Sequence, residues 1–259
     1  MTDTGEQALL AIAEEAAAAA AAELRARFGQ REGVRAKSGP TDLVSDADLA
    51  AESAIRDVLA ARRPGDSILA EEGGASGHGS LRWVVDPLDG TINYLFGIPV
   101  FAVSIACDDA RGALAGVVLD PIRDECFAAT RSGPPTLNGE AIEASKRSDL
   151  STALIATGFS YDAQVRERQA VVIARLLPRV RDIRRLGAAA LDLAWTACGR
   201  YDAYFERGLK AWDLAAGALI AARAAIDVRP LAATPEDPSG VAAAPAALIE
   251  PLMALVRAT

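Results

Sequence analysis

An α+β fold is what this chain of 259 residues predicts, on three observations. Two helix-length stretches open it. Strand-length apolar runs then follow in close succession between residues 67 and 130, and from residue 153 onward helices alternate with short strands. No repeat and no long linker interrupts this order.

Residues 7–28 read as one long amphipathic helix built around the alanine run Ala16 to Ala22. Glu14, Glu15 and Glu23 flank that run, so it is too short and too charged at its ends to span a bilayer. A second helix, 47–62, is announced by Ser45-Asp46-Ala47-Asp48, a capping box ahead of the apolar positions Ala51, Ala54, Ile55, Val58 and Leu59. Strands are predicted at 67–70, 81–86, 101–108, 113–119 and 125–130, and Asn138-Gly139 marks a tight turn after them. The second half opens with a strand at 153–157 and continues with helices at 165–177, 188–198 and 213–224 and a short strand at 202–206. Two subdomains are expected, 1–145 and 146–259, with acidic residues from both meeting in the cleft between them.

The chemistry concentrates in Asp86-Pro87-Leu88-Asp89-Gly90-Thr91, at the end of the run Leu81-Arg82-Trp83-Val84-Val85. Two carboxylates three residues apart suit a small hard cation such as Mg²⁺, which takes oxygen donors and commonly completes its shell with substrate phosphate. Pro87 restricts the backbone between them, so the Leu88 carbonyl can serve as a further oxygen ligand. Gly90 allows close approach of the main chain, and N–H groups from Gly90 onward suit a phosphate oxygen if Thr91 opens a helical turn. Asp-Gly by itself would be an ordinary turn. Further carboxylates in matching contexts point past that reading. Glu71-Glu72 ends the run Ser67-Ile68-Leu69-Ala70 and opens a glycine-rich stretch that reads as a mobile loop. Asp213 follows Trp212 at the start of a helix, where an N-cap is its plain role, and Asp48 taken singly is a cap as well.

Taken together, these residues resemble the inositol monophosphatase family of Mg²⁺-dependent, lithium-sensitive sugar-phosphate phosphatases, from about Lys37 to about Leu219. The resemblance rests on Lys37-Ser38-Gly39-Pro40-Thr41-Asp42-Leu43-Val44 with Asp46 and Asp48, on Ala70-Glu71-Glu72, and on Trp83-Val84-Val85-Asp86-Pro87-Leu88-Asp89-Gly90-Thr91 with Asn93. It continues through Arg184-Arg185-Leu186-Gly187-Ala188-Ala189-Ala190-Leu191-Asp192-Leu193-Ala194 and Tyr201-Asp202-Ala203-Tyr204-Phe205-Glu206 to Trp212-Asp213. It implies a layered α-β-α-β-α sandwich of the inositol monophosphatase and fructose-bisphosphatase type. It implies Glu71, Asp86, the Leu88 carbonyl, Asp89 and Asp213 as metal ligands for two or three Mg²⁺ ions, with Asp89 and Asp213 on the second. Gly90 and Thr91 match the phosphate-binding turn, Asp48 with Thr91 the pair that orients the attacking water, and Ala189 and Glu206 the pocket for the leaving alcohol, while Glu72 is placed to act through water.

The implied reaction is phosphomonoester hydrolysis by a metal-activated water, with no covalent enzyme intermediate. Inositol-1-phosphate or a similar polyol phosphate leads as substrate, histidinol phosphate is the close alternative, and 3′-phosphoadenosine phosphate and fructose bisphosphate follow. A regulatory binding protein on the same fold is the alternative from another class. A homodimer is expected. The chain departs from the family pattern at Gly133-Pro134-Pro135-Thr136-Leu137, at Arg223-Ala224-Ala225-Ile226-Asp227-Val228 and in an Ala/Pro-rich C-terminal section that reads as short.

Composition narrows the classes. A net charge of −8 argues against nucleic acid as the main ligand. The local basic cluster Arg175, Arg179, Arg181, Arg184 and Arg185 reads as a solvated face or a subunit contact. The single histidine, His78, lies in a glycine-rich loop and makes a poor foundation for a histidine-phosphate mechanism or a Ser-His-Asp triad. Three scattered cysteines, Cys107, Cys126 and Cys198, read as buried thiols of a reducing compartment. Met1-Thr2-Asp3-Thr4-Gly5-Glu6 lacks the basic region of a signal peptide, so a cytoplasmic enzyme is expected, without a membrane partner.

Overall fold

The computed structural model describes residues 3–29, 35–39 and 42–257. In chain order the elements are α1 (Asp3–Arg27), β1 (Arg35–Gly39), β2 (Asp42–Val44), α2 (Asp46–Arg62), β3 (Ser67–Ala70), β4 (Gly74–Ser76), β5 (Arg82–Asp89) and α3 (Thr91–Leu95). Then come β6 (Ala102–Asp109), β7 (Gly112–Asp120), β8 (Glu125–Thr130), β9 (Thr136–Leu137), β10 (Glu140–Ala141), β11 (Leu154–Thr157), α4 (Ala163–Leu176), β12 (Asp182–Arg184) and α5 (Ala189–Ala197). β13 (Ala203–Arg207), α6 (Ala211–Arg223), β14 (Asp227–Leu231), β15 (Gly240–Ala244) and α7 (Ala246–Val256) complete it.

These elements stack in five layers. The alanine run of α1 turns one face inward, with Leu9, Ala13, Ala16, Ala17, Ala20, Ala21 and Leu24 all buried at helical spacing. Such small side chains let α1 and α2 lie close on the first sheet, where they share a core with Trp83, Val85, Phe101, Val103 and Ile105. That sheet has the order β10-β9-β8-β7-β6-β5-β3-β4, and β3 with β5 is its parallel pair. Its other face packs Ala102, Ala106, Val118 and Phe127 against α5 and α6. The second sheet, β12-β11-β13-β15-β14, follows, and α4 and α7 close its far side. The layered α-β-α-β-α order implied by the resemblance is thus the observed one, with α5 and α6 as the central layer.

Several sequence expectations change. The Glu71-Glu72 segment does not open a mobile loop: Gly74–Ser76 pairs with β3 as an edge strand, and the Glu72 and Gly73 N–H groups donate to the Glu52 carboxylate, each at 2.9 Å. The Ala/Pro-rich C-terminal section forms β14, β15 and α7. Its alanines in β15 pair with β13 and β14, so neighbouring strands override helix propensity. Lys37-Ser38-Gly39-Pro40-Thr41-Asp42-Leu43-Val44 falls in and around the β1–β2 hairpin; Pro40 and Thr41 lie outside the described residues. Among the cysteines, all free, only Cys107 is fully buried.

Candidate active site

The site begins with a break in a sheet. Between β5 and β6, Asp86 pairs with Ser104 but Asp89 pairs with Ala102, so three steps on one strand match two on the other. Pro87 has no N–H for the ladder, and the extra residue is absorbed as a bulge. In a regular strand residues three apart face opposite sides; the bulge returns Asp86 and Asp89 to the same one, toward α5 and α6. Asp86 stays in place because its Oδ1 accepts the Leu88 N–H at 3.0 Å. Gly90 then turns the chain into α3 at φ 93°, where a side chain would also crowd the Val100 carbonyl.

Other elements bring the remaining acids. Glu71 leaves β3 with its N–H on the Val85 carbonyl at 3.2 Å, beside β5. Asp213 arrives on α6, whose start is tied to the first sheet by Ser104 Oγ donating to the Trp212 carbonyl at 3.2 Å. It is not the N-cap: Lys210 holds that position, and Asp213, three residues on, accepts the Lys210 N–H at 2.6 Å. Asp89 receives the first N–H groups of α5, from Ala189 at 3.0 Å and Ala190 at 2.8 Å, which fixes where Ala189 lies.

The electrostatics of this corner follow from burial of like charges. Burial pushes the Asp86 carboxyl well above the usual carboxylate range, and Glu71, Asp89 and Asp213 push it further. Asp89 rises to about 8, by burial and then Asp213, against the three α5 N–H groups that favour its charged form. Asp213 rises to about 6, chiefly by burial, with the Lys210 N–H opposing and Glu71 adding. Among the described residues no three His, Cys, Asp or Glu side chains already stand in metal-ligating geometry. The acids share one low-dielectric space and repel across it.

Beside them lies a hydrogen-bonded pair. Thr91 Oγ1 is 3.1 Å from Asp48 Oδ1 and 3.0 Å from the Leu88 carbonyl, so its one proton serves these acceptors while its lone pairs stay available. Asp48 is buried on α2, and its Oδ2 accepts the Ser45 N–H at 2.8 Å and the Ser45 hydroxyl at 2.6 Å. The cap reading of Asp48 therefore holds for one carboxylate oxygen, and the other reaches Thr91.

A third group sits where β13 meets β11. Tyr204 donates its hydroxyl to Glu206 Oε2 at 2.9 Å, and the Glu206 carboxylate lies against Gly158 so closely that a side chain there would collide with it. Burial raises Glu206 to about 7, against Tyr204 and the Arg185 charge, with Asp213 adding. Three residues of this surrounding were not singled out from sequence for such roles. Glu52 orients the turn after Glu71, and its place one turn beyond Asp48 on α2 was a readable signal. Asp192 is buried with one oxygen unpartnered, and Arg185 stands near it; no local signal distinguishes either.

Nearly the whole chain can be matched to known proteins. The model of the inositol monophosphatase family matches residues 6–258. The chain is 43% identical to the inositol-1-monophosphatase SuhB of Mycobacterium tuberculosis, over 96% of this chain and 93% of that protein. It is 46% identical to a Xylella fastidiosa protein named Nus factor SuhB, over 69% of this chain and 66% of the relative. The crystal structure of the extragenic suppressor protein suhB from Bartonella henselae superposes with a TM-score of 0.89 at 34% identity, covering 97% of this chain and all of that one. Fold and relatives together define a phosphoric monoester hydrolase. The chain belongs to the inositol monophosphatase family.

Proposed function

We propose that this enzyme is a Mg²⁺-dependent phosphomonoesterase acting on a small polyol or sugar monophosphate, with inositol-1-phosphate as the leading substrate and histidinol phosphate as the alternative. One observation carries the reading: Glu71, Asp86, Asp89 and Asp213, drawn from β5, α6 and the turn after β3, are crowded and largely buried beside the Thr91–Asp48 pair. Members of the family are in general metal-dependent. The donors fit a hard divalent cation, since they are all oxygens and their repulsion is relieved by positive charge between them. Glu71, Asp86 and the Leu88 carbonyl would hold one ion and Asp89 and Asp213 a second, within a total of two or three. When bound, the ions supply charge neutralisation for the phosphoryl oxygens and acidify water.

The protein's own groups supply position. Asp48 Oδ1 takes the Thr91 proton, so the Thr91 lone pairs accept from a water and aim its own lone pair at phosphorus. The proton then has a path through Thr91 to Asp48. Gly90 with Thr91 receives phosphate oxygens at the α3 turn, and Ala189 with Glu206 faces the departing alcohol. A homodimer, a cytoplasmic location and subdomains 1–145 and 146–259 belong to the same proposal. Free cysteines support the location, and two sheets drawn separately from 67–141 and 154–244 support the division. Among the described residues no helix is long and apolar enough to cross a membrane.

The test is phosphate release from inositol-1-phosphate, histidinol phosphate, fructose bisphosphate and 3′-phosphoadenosine phosphate at equal concentrations, with Mg²⁺ and with chelator. Chelator-sensitive release, greatest from inositol-1-phosphate, is expected. No release from any of the four with Mg²⁺ would leave the regulatory role suggested by relatives named Nus factor SuhB as the better reading.

A further inference from the structure

Arg184 and Arg185 are adjacent and differ in what holds them. Arg184 closes on the Asp182 carboxylate at 2.5 Å. Arg185 has no hydrogen-bond or ion-pair partner among the described residues; its guanidinium lies 5.9 Å from the centre of the Phe159 ring. It also covers Gly187, at φ 83°, where any side chain would collide with it. Phe159 follows Gly158, against which the Glu206 carboxylate rests, and the Arg185 charge acts on both Glu206 and buried Asp192. An exposed arginine with a ring beside it and a glycine beneath it, and with no carboxylate within ion-pair distance among the described residues, keeps its N–H fork available to a ligand.

We propose that Arg185 is a specificity-determining residue, which donates hydrogen bonds to a hydroxyl-rich leaving alcohol and rejects an alcohol that carries an ammonium group. This rests on the phosphomonoesterase reading above and narrows its substrate class. A guanidinium cannot shed its proton at working pH, so its repulsion of a second cation is permanent. A hydroxyl accepts from it at no such cost. At an exposed position the repulsion is partly screened and corresponds to roughly a 3- to 30-fold preference between otherwise similar alcohols.

The experiment compares kcat/KM for inositol-1-phosphate and histidinol phosphate in the full-length, Mg²⁺-loaded enzyme and in Arg185→Gln and Arg185→Lys. The ratio favouring inositol-1-phosphate should fall roughly 3- to 30-fold in Arg185→Gln, recover at least in part in Arg185→Lys, and change less at high ionic strength. An unchanged ratio, or equal losses on both substrates, overturns the assignment and marks Arg185 as structural. Light scattering on the same samples should give one mass for all three proteins; a ratio that changes only with dissociation also overturns it. Release of phosphate by the wild type with an unchanged ratio in the variant defeats this inference alone, whereas no release by the wild type defeats the phosphomonoesterase reading beneath it.

Discussion

Two strand ends in the first sheet carry almost the same sequence and behave as opposites. β5 ends in Asp86-Pro87-Leu88-Asp89, and β7 runs into Asp120-Pro121-Ile122-Arg123. Both first aspartates are buried, and both accept the N–H two residues on, at 3.0 Å from Leu88 and 2.9 Å from Ile122. The fourth residue decides the rest. Arg123 folds back on Asp120 at 2.7 Å and closes the second turn as a self-neutralised structural unit. Asp89 instead adds a second buried carboxylate to the bulged end of β5, beside Asp213. The same Asp-Pro opening thus makes a stable corner with an internal cation and a cation-seeking site without one, because a buried charge needs a partner and only one of the two segments brings its own.

The largest way to break this contrast is Asp89→Asn. Turnover with Mg²⁺ should fall by about 100-fold or more, since a ligand is lost, while circular dichroism shows the fold intact. Near-normal kcat would remove Asp89 from the metal assignment. Thr91→Ala sharpens the site side: kcat should fall by about 10- to 100-fold with KM little changed, because water orientation matters chiefly in the transition state. A rise in KM alone would make Thr91 a ground-state phosphate contact.

Arg123→Ala probes the other turn. It strands the buried Asp120 carboxylate with only its backbone donors and should destabilise the protein by about 2 kcal/mol in urea unfolding, discounted because Arg123 is about one-third exposed. Activity of the folded fraction should persist, in contrast to Asp89→Asn. The smallest effect is a pH slope. Asp213, Glu206 and Asp89, at about 6, 7 and 8, bind protons more tightly folded than unfolded. Their stabilising contribution is complete below about pH 4 and is lost as pH rises through those values. The metal-free protein should therefore melt at a lower temperature near pH 8.5 than near pH 5, and saturating Mg²⁺ should shrink that difference by binding deprotonated Asp89 and Asp213, leaving the share of Glu206. A metal-free melting temperature flat across this range would show that the acids are less coupled than their burial implies.

Legibility in the sequence tracked the range of the interaction. Strands 67–70 and 125–130 were read with the observed limits, since alternation and turn residues are local signals. The first helix begins at Asp3, four residues before the expected start, because Glu6 is anchored across the fold by the Ser132 N–H at 2.9 Å and its hydroxyl at 2.6 Å. β1, β2, β4, β12, β14 and β15 carry no local signal of this kind; runs such as Gly240–Ala244 become strands only through their neighbours. The proposed site residues are all legible in the sequence, but their roles are not separable there, as the split duty of Asp48 between Ser45 and Thr91 shows.

By itself, the sequence determined the oxygen-only donor set, the proline that cannot join a ladder, the capping box at Ser45 and the motif order that marks the family. These are properties of residue types and of conformational preferences over a few positions. The tertiary structure alone decided that Asp86 and Asp89 share a face, because the bulge exists only against the register of β6. It alone brought Asp213 within electrostatic range of Glu71 and Asp86, and gave Arg184 a carboxylate while leaving Arg185 beside an aromatic ring. Register and Coulomb proximity join segments more than a hundred residues apart, and no local pattern encodes them.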